Sequence, residues 1–194
     1  LVPAAVIYDL TVGSESFRPG SDAGYAACEA ARDGVPERGS VGAARGAAVA
    51  KMRGREQAPL GGVGYAATST AEGLTVAAVA VVNATGDVID ADGALIAGPR
   101  GDDGRMLRTM DLLAEATGPP EWTEDADRQG TTLVCVITDA GLDKPSTGKV
   151  ARMASAGVAR AIDPVFTPFD GDVVFCLASG EPASDPWQTL RIGS

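Results

Sequence analysis

The sequence predicts a layered α+β fold. Short apolar runs of strand length outnumber helical patterns, and most neighbouring runs are joined so that they would pair antiparallel. One long apolar stripe, after Asp143 and Pro145, has the spacing of a helix instead. With 194 residues the chain can bury one sizeable core, so residues 1–194 are read as a single domain.

"PAAVIYDL" (Pro3 to Leu10) opens the chain as a short apolar run typical of a buried strand. "SDAGYAACEAARDG" reads as a helix, with Ser21 or Asp22 as N-cap and Gly34 as its stop. "GSVGAARGAAVAKMRG" (39–54) is so rich in glycine and alanine that backbone must pass close to something there. "GLTVAAVAVVNATGDVID" gives a strand, a turn at Ala84 to Gly86 and a second strand, and "ALIAGP" continues the sheet. The pattern loosens between Arg100 and Gly130, around a short helix at "RMLRTMDLLAEA". A loose segment of that length is functional or mobile.

Thr131 to Thr138 restores a strand, and Asp143 with Pro145 starts a helix. Its stripe is Val150, Met153, Ala154, Gly157, Val158, Ala161 and Ile162. "VVFCLAS" is the last clear strand, and "WQTLRIGS" shows neither a cap nor a terminal helix. The opening Leu1 and this ending suggest a fragment of a longer protein.

Composition excludes several functions. A net charge of -10 argues against a nucleic-acid partner, because phosphate binding needs a basic surface. No apolar run has the length of a membrane span or the flanks of a signal peptide, so no membrane partner is expected. Cys28, Cys135 and Cys176 are an odd number, widely spaced among apolar residues. They read as buried free thiols in a cytoplasmic protein. The chain has no histidine, which removes Ser-His-Asp and Cys-His mechanisms and leaves no zinc site of the His-rich kind. No metal and no cofactor is expected. Hydrolytic chemistry here needs another base.

Several residues then compete for a role. In "DRQGTTLVCVITDAGL" (Asp127 to Leu142) two hydroxyl residues follow a glycine at the head of a core strand. Threonine suits strands and glycine suits the turn before them; Thr131 could equally be a nucleophile exposed by cutting its own peptide bond. "GGVGYAA" (Gly61 to Ala67) fits a dinucleotide fingerprint on paper, but a strand follows it where that motif needs a helix. Asp170-Gly171-Asp172 is a common turn sequence, or a pair of carboxylates aimed at one site. Lys51 suits a surface lysine, Asn83 a turn and Tyr8 a core strand.

Taken together, these residues resemble a family. "PAAVIYDL", "GYAACEAA", "GSVGA", "AVAVVNATGDVID", "TTLVCVITDA" and "TPFDGDVVF" occur in the order found in self-processing N-terminal-nucleophile hydrolases. That family includes the L-aminopeptidase/D-amidase-esterases, the β-peptidyl aminopeptidases and the nylon-oligomer hydrolases. The resemblance covers nearly all of the chain. It implies a four-layer α/β/β/α sandwich, here without the family's N-terminal portion and C-terminal helix. It also implies a precursor cut once, at Gly130-Thr131, into a 1–130 part and a 131–194 part.

Under that resemblance Thr131 becomes the new N-terminus and the catalytic residue. Asp170 and Asp172 take the paired acidic or hydroxyl places near the nucleophile. Lys51 falls on the active-site lysine of the nylon-oligomer branch. Asn83 and Tyr8 fall on residues that contact the substrate carbonyl or the developing oxyanion. The freed α-amine, with a pKa of about 8, would supply the base that histidine cannot. Glycine at 130 tolerates the strain of the acyl shift, although many relatives carry asparagine there.

The expected activity is that of an aminopeptidase, amidase or esterase acting on small peptides, amides or esters. The expected assembly is a homo-oligomer of processed heterodimers. A binding or assembly protein, or a threonine-dependent acyltransferase, are the alternatives. Two departures stand out: Arg45 in "GAARGAAVAK", where the family keeps a small residue, and Phe166, where relatives often carry histidine. If the glycine-rich segment lines the site, Arg45 adds positive charge near Lys51 and the Thr131 amine.

Overall fold

The computed structural model describes residues 2–10, 12–14, 16–119 and 130–194. Among them are the helices α1 (Ser21–Glu29), α2 (Thr109–Glu115), α3 (Lys144–Ala159) and α4 (Pro186–Gly193). The strands are β1 (Gly62–Ser69), β2 (Thr75–Asn83), β3 (Asp87–Ile89), β4 (Leu95–Ala97), β5 (Thr131–Thr138), β6 (Ile162–Asp163) and β7 (Val173–Ala178). They form a four-stranded sheet in the order β1-β2-β5-β7 and a three-stranded sheet in the order β4-β3-β6. The α+β class therefore holds.

β1 and β2 are an antiparallel hairpin, closed by a turn in which Gly73 takes φ 86°, a region glycine enters without penalty. β2 pairs antiparallel with β5, and β5 pairs in parallel with β7. A parallel neighbour needs a crossover, and α3 supplies it.

α3 starts where its sequence says it should. Asp143 accepts a hydrogen bond from the Ser146 amide at 2.9 Å, and Pro145 sits in the first turn. Its Val150 is wholly buried among Val136, Ala140, Leu142 and Ile192, with Val174 and Cys176 of β7 against the same cluster. Truncating Val150 to alanine would cost about 2 kcal/mol. α3 and α4 thus cover one face of the large sheet. The alternate residues of β5 and β7 (Leu133, Cys135, Ile137, Val173, Phe175, Leu177) turn to the opposite face, where Ile137 and Leu177 are 41% and 51% exposed. Of the four-layer arrangement, the helix layer of α3 and α4 and the sheet beneath it are the clear pair.

Several sequence expectations need correction. Pro3 to Leu10 is not a strand: it joins no sheet among the described residues, and Val2 and Val6 are almost fully exposed. The first helix ends at Glu29, well short of Gly34, and its N-cap is Gly20 with no side-chain cap. It buries none of its residues, so nothing extends it. The strands expected on either side of Ala84 to Gly86 are present as β2 and β3, but they belong to different sheets and not to one continuing sheet. Ala161 and Ile162 lie beyond α3, and Ile162 belongs to β6.

The end of the chain is a helix after all. Asp185 caps α4 through the amides of Trp187 and Gln188, and Pro186 fills the first turn. Cys28 is exposed rather than buried, while Cys135 and Cys176 are half-buried; all three are free thiols. Among the described residues no helix is long and apolar enough to cross a membrane. The loose stretch from Arg100 to Gly130 holds α2, and its residues 120–129 lie outside the described part.

Candidate active site

The pairing of β2 with β5 places Asn83, the last residue of β2, directly opposite Thr131, the first of β5. Cross-strand partners share a face, so both side chains lie at one end of the same sheet surface. Just before β5, Gly130 bridges in parallel to Asp170. Its amide donates to the Phe169 carbonyl at 2.8 Å, and its carbonyl accepts from the Gly171 amide at 2.9 Å. The Thr131 hydroxyl donates to that same Gly130 carbonyl oxygen at 2.6 Å. Thr131 is 6% exposed. A buried hydroxyl therefore sits against the carbonyl of the residue before it, and a backbone amide already polarises that carbonyl.

The two carboxylates hold the frame of this junction. Asp172 accepts from the Thr132 amide at 2.5 Å and from the Phe166 amide at 2.9 Å. Phe166 adopts a left-handed backbone, φ 54°, as it presents that amide. Asp170 accepts from the Thr85 amide at 3.1 Å and from the Thr167 hydroxyl. Asp170-Gly171-Asp172 thus ties its own loop to the head of β5 and to the turn after β2. A solvated turn would make neither the bond to Thr85 nor the bond to Thr132.

The glycine- and alanine-rich segment passes underneath. Ala47, Ala48 and Ala50 have no exposed surface, and Gly46 has no room for a Cβ because Asp9 fills that space. Ala50 takes φ 54°, which lets Ala50 and Lys51 donate their amides to the Gly86 and Thr85 carbonyls in turn. Lys51 is carried inward, only 4% exposed, and its ammonium nitrogen donates to the Asn83 carbonyl at 2.7 Å. Burial pulls the Lys51 pKa down to about 7, and the Arg55 guanidinium adds to the effect. Asp170, Asp172 and Asp9 pull the other way without overcoming burial.

Asn83 is held at its own end by two bonds. Its side-chain oxygen accepts from the Ala48 amide at 3.0 Å, and its nitrogen donates to the Tyr8 carbonyl at 3.2 Å. The structure accordingly brings Thr131, Asp170, Asp172, Lys51 and Asn83 to one place. Tyr8 enters through its backbone carbonyl. Arg45, by contrast, is exposed. The cation that acts on Lys51 is Arg55, ten residues on.

Sequence reasoning missed three participants. Gly171 acts through its amide, which no side-chain pattern reveals. Thr85 lies in a turn, yet its amide anchors Asp170 and its hydroxyl is buried with no hydrogen-bond partner among the described residues. Arg55 carried no signal beyond its charge. Among the described residues no group of three or more cysteine or acidic side chains is placed to hold a metal.

A beta-aminopeptidase from Burkholderia sp. has a similar fold, with 24% identity over 82% of this chain and 38% of its own, and a TM-score of 0.51. The chain belongs to peptidase family S58, whose model matches residues 2–192. It is similar to an uncharacterized aminopeptidase of Mycobacterium leprae, with 38% identity over 198 residues, covering 93% of this chain and 49% of the relative. It is also similar to a 6-aminohexanoate-oligomer endohydrolase of Paenarthrobacter ureafaciens, with 26% identity over 186 residues, covering 93% of this chain and 50% of the relative. The chain spans about half the length of these curated relatives.

Proposed function

We propose that the protein is a self-cleaving amide hydrolase in which Thr131 cuts the bond before it and then serves as the N-terminal nucleophile. The observation that carries this reading is the Gly130 carbonyl, touched at once by the Thr131 hydroxyl and the Gly171 amide. Oγ1 of Thr131 adds to the carbonyl carbon of Gly130 as its proton passes to a base. Lys51, whose pKa of about 7 leaves part of it neutral at physiological pH, is the group suited to accept it. The same proton then goes to the Thr131 nitrogen as the C–N bond breaks, which leaves an ester. Water cleaves the ester, giving a Gly130 carboxylate, a free hydroxyl and a free α-amine on Thr131.

In the matured protein that amine replaces the missing histidine as base. The Gly171 amide stays where an oxyanion would form. Acyl groups of small peptides, amides or esters then pass through the same threonine ester to water. The relatives, an uncharacterized aminopeptidase and a 6-aminohexanoate-oligomer endohydrolase, support that substrate range. The assembly under this reading is several copies of the two-part processed chain, with no nucleic-acid partner.

The test is maturation of the full-length protein. A denaturing gel should resolve two chains, and N-terminal sequencing of the smaller should read Thr-Thr-Leu-Val. A chain that stays intact after long incubation at neutral pH overturns the reading.

A further inference from the structure

The helix layer carries a groove that the Thr131 site does not use. α3 and α4 border a cavity of about 420 Å³, with Pro145, Lys149 and Met153 on one side and Pro186 and Leu190 on the other. Positions 145, 149 and 153 follow one another at helical spacing, so they form one stripe along α3. The groove is closed where the two helices meet: a Cβ built on Gly193 would lie 2.8 Å from Met153 Sδ. Its surface is mostly apolar, and Leu190 is 49% exposed.

The polar groups of its wall already have partners, with one exception. The Thr189 hydroxyl donates to the Asp185 carbonyl at 2.7 Å. Ser146 and, less strongly, Ser184 hydrogen-bond the Asp143 carboxyl and hold it below the usual carboxylate range. Asp143 and Asp185 turn their carboxylates to the amides that start α3 and α4. Lys149 is exposed and stands in no ion pair among the described residues. The same holds for Lys144 and Arg152, the other charged residues of α3, a helix with no Asp or Glu. A chain of net charge -10 thus presents a basic strip beside an apolar groove.

We propose that this groove is a binding site for a small free carboxylate with an unbranched apolar chain. The chain lies between Met153, Leu190 and the two prolines, and the carboxylate meets the Lys149 ammonium. Burial of the chain supplies the affinity, and the ammonium selects the sign of the head group. A cationic head group would meet Lys149 and Arg152 as like charges. The volume is that of a small-molecule site. Thr131 opens β5, whereas α3 starts beyond Thr138 at the other end of that eight-residue strand, so about 23 Å of strand lies between the two sites. Occupancy of the groove does not depend on self-cleavage.

The experiment titrates the full-length protein with octanoate, octylammonium and 1-octanol, by calorimetry and by the NMR signal of the Met153 methyl group, assigned with Met153→Leu. Octanoate should bind saturably, one per chain, and shift the Met153 methyl. Octylammonium should bind about tenfold more weakly. Lys149→Gln changes an exposed side chain, so the melting temperature should hold while octanoate binding weakens by about threefold to fivefold, as an exposed ion pair allows. Binding of 1-octanol should be the same in that variant as in wild type. No saturable octanoate binding up to millimolar concentration, or binding that leaves the Met153 methyl unmoved, overturns the site. Equal affinity for octanoate and octylammonium, or undiminished octanoate binding in Lys149→Gln, overturns the carboxylate as its ligand.

Discussion

The amide of Gly171 donates to the carbonyl oxygen of Gly130 at 2.9 Å, beside the bridge that pairs Gly130 with Asp170. This donor is in place before any reaction, at the atom where negative charge would develop. Preorganised donors of this kind contribute about 3 kcal/mol to acyl-transfer barriers. Under the proposed mechanism the polarised carbonyl is the target of the neighbouring hydroxyl. Thr131→Ala should therefore abolish both cleavage and activity, with the intact chain seen by mass spectrometry. Thr132 makes the control. Its hydroxyl is buried without a partner, so Thr132→Val should fold normally and still cut itself. Cleavage in Thr131→Ala would end the mechanism.

Asp172 should matter for both stability and rate. It accepts two backbone amides, from Thr132 and Phe166, and asparagine can turn an acceptor to only one of them. The other amide would then face an NH2 group. Asp172→Asn should cost about 1–3 kcal/mol of stability, read as a lower melting temperature. Under the proposed mechanism self-cleavage should also fall by orders of magnitude, because the amide next to Thr131 loses its anchor. A variant with normal melting and normal processing would reduce the carboxylate to decoration.

Arg45 should be silent. The sequence invites a charge argument there, because a cation in the glycine-rich segment would repel substrates bearing an N-terminal ammonium. The side chain is exposed, however, and Lys51 feels Arg55 instead. Arg45→Gly or Arg45→Thr should leave the ratio of kcat/KM for neutral and acidic aminoacyl amides where it was. A change in that ratio would bring Arg45 back to the site.

What could be read from the sequence follows a physical divide. β2, β5 and α3 were legible because each states its own periodicity, and α3 adds a capping aspartate and an early proline. The strand expected at Pro3 to Leu10 failed because an apolar run says nothing about whether a partner strand exists. α4 was missed although Asp185 and Pro186 are an ordinary helix start, hidden by a short and half-exposed apolar face. In the site, carboxylates and the lysine were visible as residue types. The burial that moves Lys51 was not, because it depends on how the segment that carries it is placed in the fold. Backbone donors such as Gly171 have no side-chain signature at all.

Lys51 gives a pH signature whose sign can be worked out. Its ordinary value is 10.5, and burial brings it to about 7 in the folded chain, with Arg55 as the second cause. A neutral amine is needed to accept the Thr131 proton, so self-cleavage should rise with pH through about 7 and level off above it. Arg55→Gln removes a like charge, which favours the ammonium, so the midpoint should move up. Asp9→Asn removes an attractive charge and should move it down. Lys51's own contribution to stability follows from the same shift. Between about 7 and 10.5 the unfolded chain holds a proton that the folded chain has shed, so this contribution rises with pH across that window. Lys51→Met should lose the rise in cleavage rate and that pH-dependent part of stability together. The measurement is the first-order rate of appearance of the Thr131 chain at a series of pH values, for wild type and each variant. A rate that falls on going from pH 6 to 8, or midpoints that ignore both Arg55→Gln and Asp9→Asn, would exclude Lys51 as the proton acceptor.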